Sequence, residues 1–111
     1  MAGKFDLKKS AKGQFLFNLK AGNNQVILSS ELYSDKASAQ DGIESVKKNA
    51  GTDANYERKT SKKGEPFFVL KAPNGQIIGK SEMYTSAKAM ETGIASVKAN
   101  APGAPVVEVA E

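Results

Sequence analysis

The chain has no cysteine, no histidine and no tryptophan among its 111 residues. Without cysteine it can form no disulfide, no thiolate nucleophile and no zinc site built on sulfur, which fits a reducing compartment. Without histidine it lacks the commonest general base near neutral pH and a frequent metal ligand. We therefore predict that it has no cofactor and no metal site, and that it is not an enzyme.

Long apolar stretches are also missing. The N-terminal segment MAGKFDLKKSAKGQ carries charges where a signal peptide needs an apolar run of about 7 to 15 residues. No apolar run approaches the roughly 20 residues that span a bilayer. We expect a cytoplasmic protein that does not contact a membrane. Its net charge of +4 is modest and gives only some attraction for polyanions.

The chain does contain an internal repeat with an offset of 51 residues. Positions 5–50 align with positions 56–101 without a gap, and 21 of these 46 positions are identical. Self-similarity of this strength indicates duplication of one folding unit. Because a unit of about 46 residues is only marginally stable alone, we expect the two copies to share a core.

Each unit is predicted to begin with three strands. In the first unit, Phe5 and Leu7 alternate with charged residues, and Phe15, Phe17 and Leu19 occupy alternate positions. This spacing places side chains on one face of a strand. A polar turn separates the first two strands, and the third strand is predicted at residues 26–29.

A helix is predicted to follow, with Ser34 as its N-cap in the first copy and Thr85 in the second. Its apolar positions recur at spacings of three and four, which define one helical face. They are Ala39, Ile43, Val46 and Ala50, and in the second copy Met90, Ile94, Val97 and Ala101. Gly42 and Gly93 lie beside this face, and a helical glycine costs about 1 kcal/mol relative to alanine. Its presence in both copies predicts close packing of the helix there.

This order of elements predicts an α+β fold with two tandem β-β-β-α units in one antiparallel sheet and both helices on one face. We expect a single domain over residues 1–111, made of a first repeat at 4–52 and a second at 53–111. A last strand is predicted at Val106, Val107 and Val109, and residues 54–60 hold the equivalent place after the first helix. We expect these C-terminal strands to be exchanged between the units.

Several motifs occur in both copies: SxKG, which is part of KSxKG in the first copy, SExY and GIxSVKxNA. They lie at 9–13, 30–33 and 42–50, with counterparts at 61–64, 81–84 and 93–101. With these motifs the chain resembles the YegP-like family of small bacterial proteins, a domain of unknown function found singly or in tandem. The resemblance implies an α+β assembly of β-rich units in one sheet with exchanged C-terminal strands. It brings no assigned catalytic residue or ligand.

The SExY motif is the strongest candidate for chemistry. Glu31 and Tyr33 recur as Glu82 and Tyr84 before each predicted helix, where a carboxylate beside a phenol could transfer protons. The structural alternative is that the carboxylate bonds to the backbone or to a lysine while the tyrosine packs under the helix. Because catalysis would also need a pocket and a polarising partner, an enzyme is the least favoured hypothesis.

The outward side of the sheet is the candidate interaction face. If Phe15, Phe17 and Leu19 face the helices, the intervening side chains face away and mix lysine with apolar groups. The predicted face consists of Lys8, Leu16, Lys20, Lys59, Phe67, Val69 and Lys71. It could bind a protein, it could hold single-stranded nucleic acid by stacking and phosphate neutralisation, or lysine stems could cover it so that nothing binds.

We favour a non-enzymatic protein that acts through protein interaction on this face. The alternative is weak, sequence-independent nucleic-acid binding by Lys8, Lys20, Lys59, Phe67 and Lys71. One aromatic side chain and a near absence of arginine weaken that alternative. Because duplication within one chain can replace the dimerisation of a single-unit relative, we predict a monomer.

Overall fold

The alternating apolar residues at the start of each repeat form antiparallel hairpins. Strand β1 (Lys4–Lys9) pairs with β2 (Phe15–Lys20), and β4 (Tyr56–Thr60) pairs with β5 (Pro66–Lys71). The repeated SxKG residues, 10–13 and 61–64, make their turns. Gly13 and Gly64 adopt φ angles of +81° and +82°, a region that favours glycine.

The computed structural model describes residues 3–22 and 25–108. After each hairpin come one strand and one helix. The third strands are β3 (Val26–Ser29) and β6 (Ile77–Lys80), the helices are α1 (Lys36–Asn49) and α2 (Ala87–Asn100), and short 3-10 helices follow at Asp53–Asn55 and Ala101–Gly103. This content confirms the predicted α+β class.

All strands of the described ranges, including β7 (Val106–Glu108), join one sheet in the order β4-β5-β6-β3-β2-β1-β7. The two three-stranded units meet near its centre, where β3 pairs antiparallel with β6 and Ser29 lies opposite Lys80. These two residues are equivalent positions of the repeat. An approximate two-fold axis therefore passes between them, perpendicular to the sheet.

The prediction of a wholly antiparallel sheet was wrong. Strand β7 pairs with β1 in the parallel direction, with Phe5 opposite Val106, so the sheet is mixed. The chain leaves α2 through Pro102 and Pro105 and arrives beside β1 already running in the same direction, and the Phe5 N–H donates to the Pro105 carbonyl at 2.8 Å. Val109, the last residue of the predicted strand, lies outside the described residues.

Each helix begins one residue later than predicted. The N-caps are Asp35 and Ser86, whose side chains accept hydrogen bonds from the backbone N–H groups of Ser38 and Ala89. They are equivalent positions of the repeat and both are strong N-cap residue types. Ser34 and Thr85 were plausible for the same chemical reason, and sequence alone could not choose between adjacent capping residues.

The predicted apolar faces of both helices are buried. All eight of the helix-face residues named above are at most 5% exposed. They belong to one hydrophobic cluster that also contains Phe17 and Leu19 of β2 and Phe68 and Leu70 of β5. Both helices thus pack against the side of the sheet that carries these residues, and no helix of the described ranges lies on the opposite side.

Candidate functional site

The serine of the SExY motif is a structural residue in both copies. The Ser30 hydroxyl accepts a hydrogen bond from the Phe17 N–H and donates to the Glu31 carbonyl, both at 2.8 Å. Ser81 makes the same pair of bonds, with the Phe68 N–H and the Glu82 carbonyl, at 2.9 and 2.8 Å. This hydroxyl ties the end of the third strand to the second strand.

The tyrosine of the motif packs under the helix. Tyr33 stacks on Phe17 with 6.2 Å between ring centroids, and its phenol lies beside Gly42. A Cβ atom at Gly42 would come within 2.5 Å of the Tyr33 hydroxyl, and one at Gly93 within 2.2 Å of the Tyr84 hydroxyl. Two motifs that are separate in sequence, SExY and GIxSVKxNA, therefore depend on each other.

The ionisation of these tyrosines fits a packing role. Burial raises the pKa of both Tyr33 and Tyr84, and the nearby charges of Glu31 and Glu82 raise it further. Each phenol is therefore held in its protonated form, while both glutamates are exposed. The geometry supports the structural alternative for SExY more than an acid-base pair.

The strand register places all seven predicted face residues on the side of the sheet away from the helices. Lys8 lies opposite Leu16, and Lys59 lies opposite Phe67. The seven form two groups, one on β1 and β2 and one on β4 and β5, separated by β3 and β6. We call this side the open face.

Two lysines of the open face are already ion-paired. Lys20 lies 2.7 Å from Asp6, whose side chain is only 3% exposed, and Lys71 lies 2.5 Å from Glu57. The hydrogen bond from Lys71 lowers the pKa of Glu57, so this carboxylate stays charged over a wider pH range. Because these pairs neutralise Lys20 and Lys71, the two lysines offer less charge to a ligand than the sequence indicated.

A groove of about 420 Å³ lies on the β4–β5–β6 half of the open face. We call it the Phe67 groove. Its apolar lining comes from Phe67, Val69 and Ile77, and Val69 is only 3% exposed, so it belongs to the floor and not to the rim. The charged lining consists of Lys59, Lys80 and Glu31, and the remaining lining residues are Ser29, Ser30, Gly79 and Ser81.

Lys80 covers part of the aromatic surface in this groove. Its ammonium lies 5.2 Å from the centroid of the Phe67 ring, a cation–π contact. Lys59 lies on the neighbouring strand directly opposite Phe67. The one aromatic ring of the predicted face is therefore flanked by two lysines.

Ile77 and Lys80 belong to this groove although the alternation in sequence did not identify them. The pairing of β5 with β6 shifts between Leu70 and Lys71, so that Lys71 lies opposite Ile77 while Leu70 lies opposite Gly79. Such a bulge changes which residues share a face. The extra residue, Ile78, lies on β6 itself, and the alternation within a four-residue strand cannot show where it bulges.

Both repeats also match a known protein family. A family model described as a domain of unknown function, DUF1508, matches the chain twice, at residues 10–57 and 61–108. The chain belongs to the DUF1508 family. This confirms the resemblance to YegP-like proteins and the tandem repeat.

Relatives of this DUF1508 chain span almost its whole length. A UPF0339 protein of Bordetella pertussis is 61% identical over 105 residues, covering 95% of this chain and 94% of the relative. The solution NMR structure of yegP from E. coli, a protein of unknown function, is 54% identical and has a TM-score of 0.92. The match covers 97% of this chain and 93% of that structure. The solution NMR structure of a UPF0339 protein from Shewanella oneidensis is 47% identical with the same TM-score, at 97% and 92% coverage.

On the open face the two DUF1508 repeats differ at several positions. At equivalent positions Phe67 replaces Leu16, Val69 replaces Asn18, and Lys80 replaces Ser29. By contrast, the core residues Phe17 and Leu19 are unchanged as Phe68 and Leu70. The second repeat therefore has a more apolar open face than the first, and most of the groove lining lies on that half.

More polar recesses lie on the other side of the molecule, between α1 and the turn after β5. The larger has a volume of about 470 Å³ and is lined by residues such as Asp41, Lys48 and Asn74. In the ranges 3–22 and 25–108, no three acidic, histidine or cysteine side chains are grouped so that they could hold a metal ion. No helix in those ranges is long and apolar enough to cross a membrane.

Proposed function

We propose that this protein is a non-enzymatic interaction protein that binds a protein partner through its open face. The observation that carries this proposal is the Phe67 groove, an apolar depression on the side of the sheet that no helix covers. Concave apolar sites with a few polar groups at the rim are typical of binding sites. The groove volume of about 420 Å³ lies in the usual range for such sites.

The use of the repeated motif residues supports the same proposal. The serine and tyrosine of SExY, the glycines of the helices and the turn residues of SxKG all have packing or hydrogen-bonding partners within the fold. By contrast, the apolar lining of the groove, Phe67, Val69 and Ile77, does not belong to the hydrophobic cluster that joins the helices to the sheet. Their composition is therefore better explained by an external partner than by the fold.

Site-specific photocrosslinking in living bacterial cells tests the proposal. A photoreactive phenylalanine analogue at position 67 keeps an aromatic side chain in the groove. The same analogue at position 16 is the matched control, because Leu16 is the equivalent residue on the first repeat and lies outside the groove. We expect a discrete protein adduct from position 67 that position 16 does not give. Absence of a protein adduct from both positions would contradict the proposal.

Nucleic-acid binding is the second candidate, and the lysines of the open face favour it. By register and alternation the strands of this face carry six lysines and two carboxylates, both engaged by lysine. Glu31 adds one more carboxylate at the groove. Against it, Lys80 already contacts the Phe67 ring, the one aromatic ring of the predicted face that is available for base stacking. If this candidate is right, the adduct at position 67 will be sensitive to nuclease and binding will fall steeply with salt.

We also propose that residues 1–111 act as one cytoplasmic domain and remain monomeric, with the terminal strand exchanged between the repeats. Support comes from β7, which follows α2 of the second repeat but pairs with β1 of the first. An ion pair between Lys36 and Glu108 joins the start of α1 to the same strand. Light scattering in solution tests the monomer, and a mass of two chains at micromolar concentration would contradict it.

A further inference from the structure

We propose that the partner segment bound in the Phe67 groove is an acidic peptide with one large apolar anchor residue. This inference rests on the proposed function and specifies the chemistry of the partner. It follows from three features of the groove: an apolar floor, two flanking lysines, and an aromatic ring that one of these lysines already contacts. Of the two lysines, Lys59 shares its one close carboxylate with Lys71, and Lys80 has no ion pair in the described ranges.

The floor provides the place for the anchor. Val69 is nearly inaccessible, whereas Phe67 and Ile77 are partly exposed above it. A side chain such as leucine or phenylalanine that enters the groove would therefore meet apolar atoms on several sides. Burial of apolar surface provides most of the affinity at such sites, and a few anchor residues usually dominate it.

The lysines decide the charge of the partner. The nearest carboxylate oxygen to Lys59 is Glu57 Oε1 at 3.7 Å, and Lys71 holds that same oxygen at 2.5 Å. Lys80 makes no ion pair with any residue in the described part of the chain, and its contact there is with the Phe67 ring. A partner that brought carboxylates beside its anchor would complement both ammonium groups.

Glu31 sets the direction of the peptide. It is the one acidic residue that lines the groove in the described ranges, and it belongs to the first repeat. Carboxylates of the partner are therefore repelled from the β3 side and attracted towards Lys59 on β4. The acidic residues of the peptide should lie on the β4 side of its anchor.

A peptide suits this site better than nucleic acid does. A nucleotide chain gains affinity when successive bases stack on aromatic rings. The groove has one ring, and Lys80 lies against it at 5.2 Å from the centroid. An aliphatic or aromatic anchor needs only the floor and the ring edge, so the lysine contact can remain in place when a peptide binds.

NMR titration of the labelled full chain tests the inference with defined probes. The first probe is a ten-residue peptide of aspartate and glutamate with one central leucine. The second has alanine in place of that leucine, the third has lysine in place of the acidic residues, and the fourth is single-stranded oligothymidine. We expect the first peptide to shift the amides of Lys59, Phe67, Ile77 and Lys80, and to bind about tenfold more tightly than the second and third.

Variants locate the binding. Phe67→Ser and the pair Lys59→Gln with Lys80→Gln should each weaken binding of the first peptide about tenfold. The matched controls are Leu16→Ser and Lys8→Gln, equivalent to Phe67 and Lys59 on the first repeat, and they should leave the affinity unchanged. Retained dispersion of the amide chemical shifts in the spectrum of each variant verifies that the fold survives.

The other outcomes overturn the inference, and they do so separately from the proposed function. Equal binding of the acidic and the lysine-containing peptides would remove the charge requirement. Tighter binding of oligothymidine at the same residues would replace a peptide by nucleic acid. If no peptide shifts the groove while photocrosslinking at position 67 still gives a protein adduct, the open face binds a protein of different chemistry.

Discussion

Gly42 and Gly93 show at the scale of single residues why a repeated motif need not be an active site. Each lies in the middle of a helix, where glycine is unfavourable relative to alanine by about 1 kcal/mol. The phenol of Tyr33 or Tyr84 occupies the space that a Cβ atom would need. The pairing of a tyrosine with a glycine thus explains two motifs through one contact.

We predict that Gly93→Ala destabilises the protein. The added Cβ would lie 2.2 Å from the Tyr84 hydroxyl and 2.7 Å from Cζ, so the stacked ring must move. Overpacking of this kind costs about 1–3 kcal/mol. Replacing glycine by alanine gains about 1 kcal/mol in helix propensity, which offsets only part of that cost at the upper end of its range. Chemical denaturation should show a net loss of about 1 kcal/mol in the free energy of unfolding.

Gly103→Ala is the control for this change, because a Cβ atom there meets nothing within 4 Å. In a Tyr84→Leu background the blocking hydroxyl is gone. Gly93→Ala should therefore destabilise that variant less than it destabilises the wild type. If Gly93→Ala is as stable as the wild type, or more stable, the phenol does not require the glycine.

The pairing of β3 with β6 gives a second prediction, at the scale of elements. Leu28 and Gly79 are equivalent positions beside the approximate two-fold axis, and a Cβ atom at Gly79 would lie 2.6 Å from Leu28 Cδ2. One large side chain therefore fills the space on both sides of the axis. We predict that Gly79→Leu and Leu28→Gly each destabilise the fold, by about 1–3 and about 2–5 kcal/mol.

Exchanging the two residues should restore much of that stability. In the double variant Leu28→Gly with Gly79→Leu, the leucine enters the same space from the other strand. A double-mutant cycle measured by denaturation should give a favourable coupling free energy, within the range of about 0.5–3 kcal/mol for residues in contact. Additive losses would mean that the two halves of the sheet are not interchangeable at this position.

An ion-pair network joins β4 to α2 and is found in the second repeat. The guanidinium of Arg58 donates to both Glu91 oxygens, at 2.5 and 2.9 Å, and to Asp53 Oδ1 at 3.0 Å, while Lys98 donates to the same Asp53 oxygen at 2.9 Å. These hydrogen bonds lower the pKa of Asp53 and of Glu91. The network therefore links stability to pH.

The sign of that link follows from the lowered pKa values. A carboxylate whose pKa is lower in the folded chain stabilises the fold above its unfolded pKa, near 4, and loses this contribution as the pH falls through the folded value. Arg58→Gln should therefore be less stable than the wild type at pH 7 by a small amount, since the groups are exposed. The difference should shrink as the pH falls below about 4.

Thermal unfolding between pH 7 and pH 3 measures this prediction. Lys63→Gln is the control, because Lys63 is an exposed turn residue that makes no ion pair with any residue in the described ranges. A difference between Arg58→Gln and the wild type that stays constant down to pH 3 would show that Arg58 acts through packing instead of charge.

Local pattern predicted the elements well because each strand and helix carries its own periodicity. The alternation of Phe15, Phe17 and Leu19 located β2, and spacings of three and four identified the buried helix faces. The hydrogen bonds between elements could not be predicted in the same way. Pairing of β7 with β1 depends on where α2 delivers the chain, and that is set by packing across the whole sheet.

The groove was only partly predictable for a related reason. Phe67 and Lys59 were identified because the hairpin register follows from its turn. Ile77 and Lys80 were missed because the extra residue Ile78 interrupts the alternation of β6 between them. The ion pairs of Lys20 and Lys71 were not foreseen either, since each joins residues on different strands.

At the scale of the whole molecule, both repeats contribute to one buried cluster. It contains Phe17 and Ile43 of the first repeat and Phe68 and Ile94 of the second. Helix α1 also contacts β5 and β6 of the second repeat, and α2 contacts β3 of the first. Each helix therefore packs across the boundary between the repeats, and neither repeat keeps its own core.

We predict that the two repeats unfold as one cooperative unit. A shared core means that damage in one repeat removes contacts that the other needs. Phe17→Leu should lower the free energy of unfolding by about 1–3 kcal/mol. Native-state hydrogen exchange should show this loss for the most protected amides of β5 as well as for those of β2, because both open only through global unfolding.

The equivalent variant Phe68→Leu is the matched control, since Phe68 lies in the same environment on the second repeat and stacks on Tyr84 as Phe17 stacks on Tyr33. A cooperative unit predicts that the two variants lower exchange protection in both hairpins by similar amounts. Loss confined to β1 and β2 in Phe17→Leu, and to β4 and β5 in Phe68→Leu, would show instead that each repeat folds separately. In that case the contacts of α1 and α2 across the boundary would contribute too little to couple the two units.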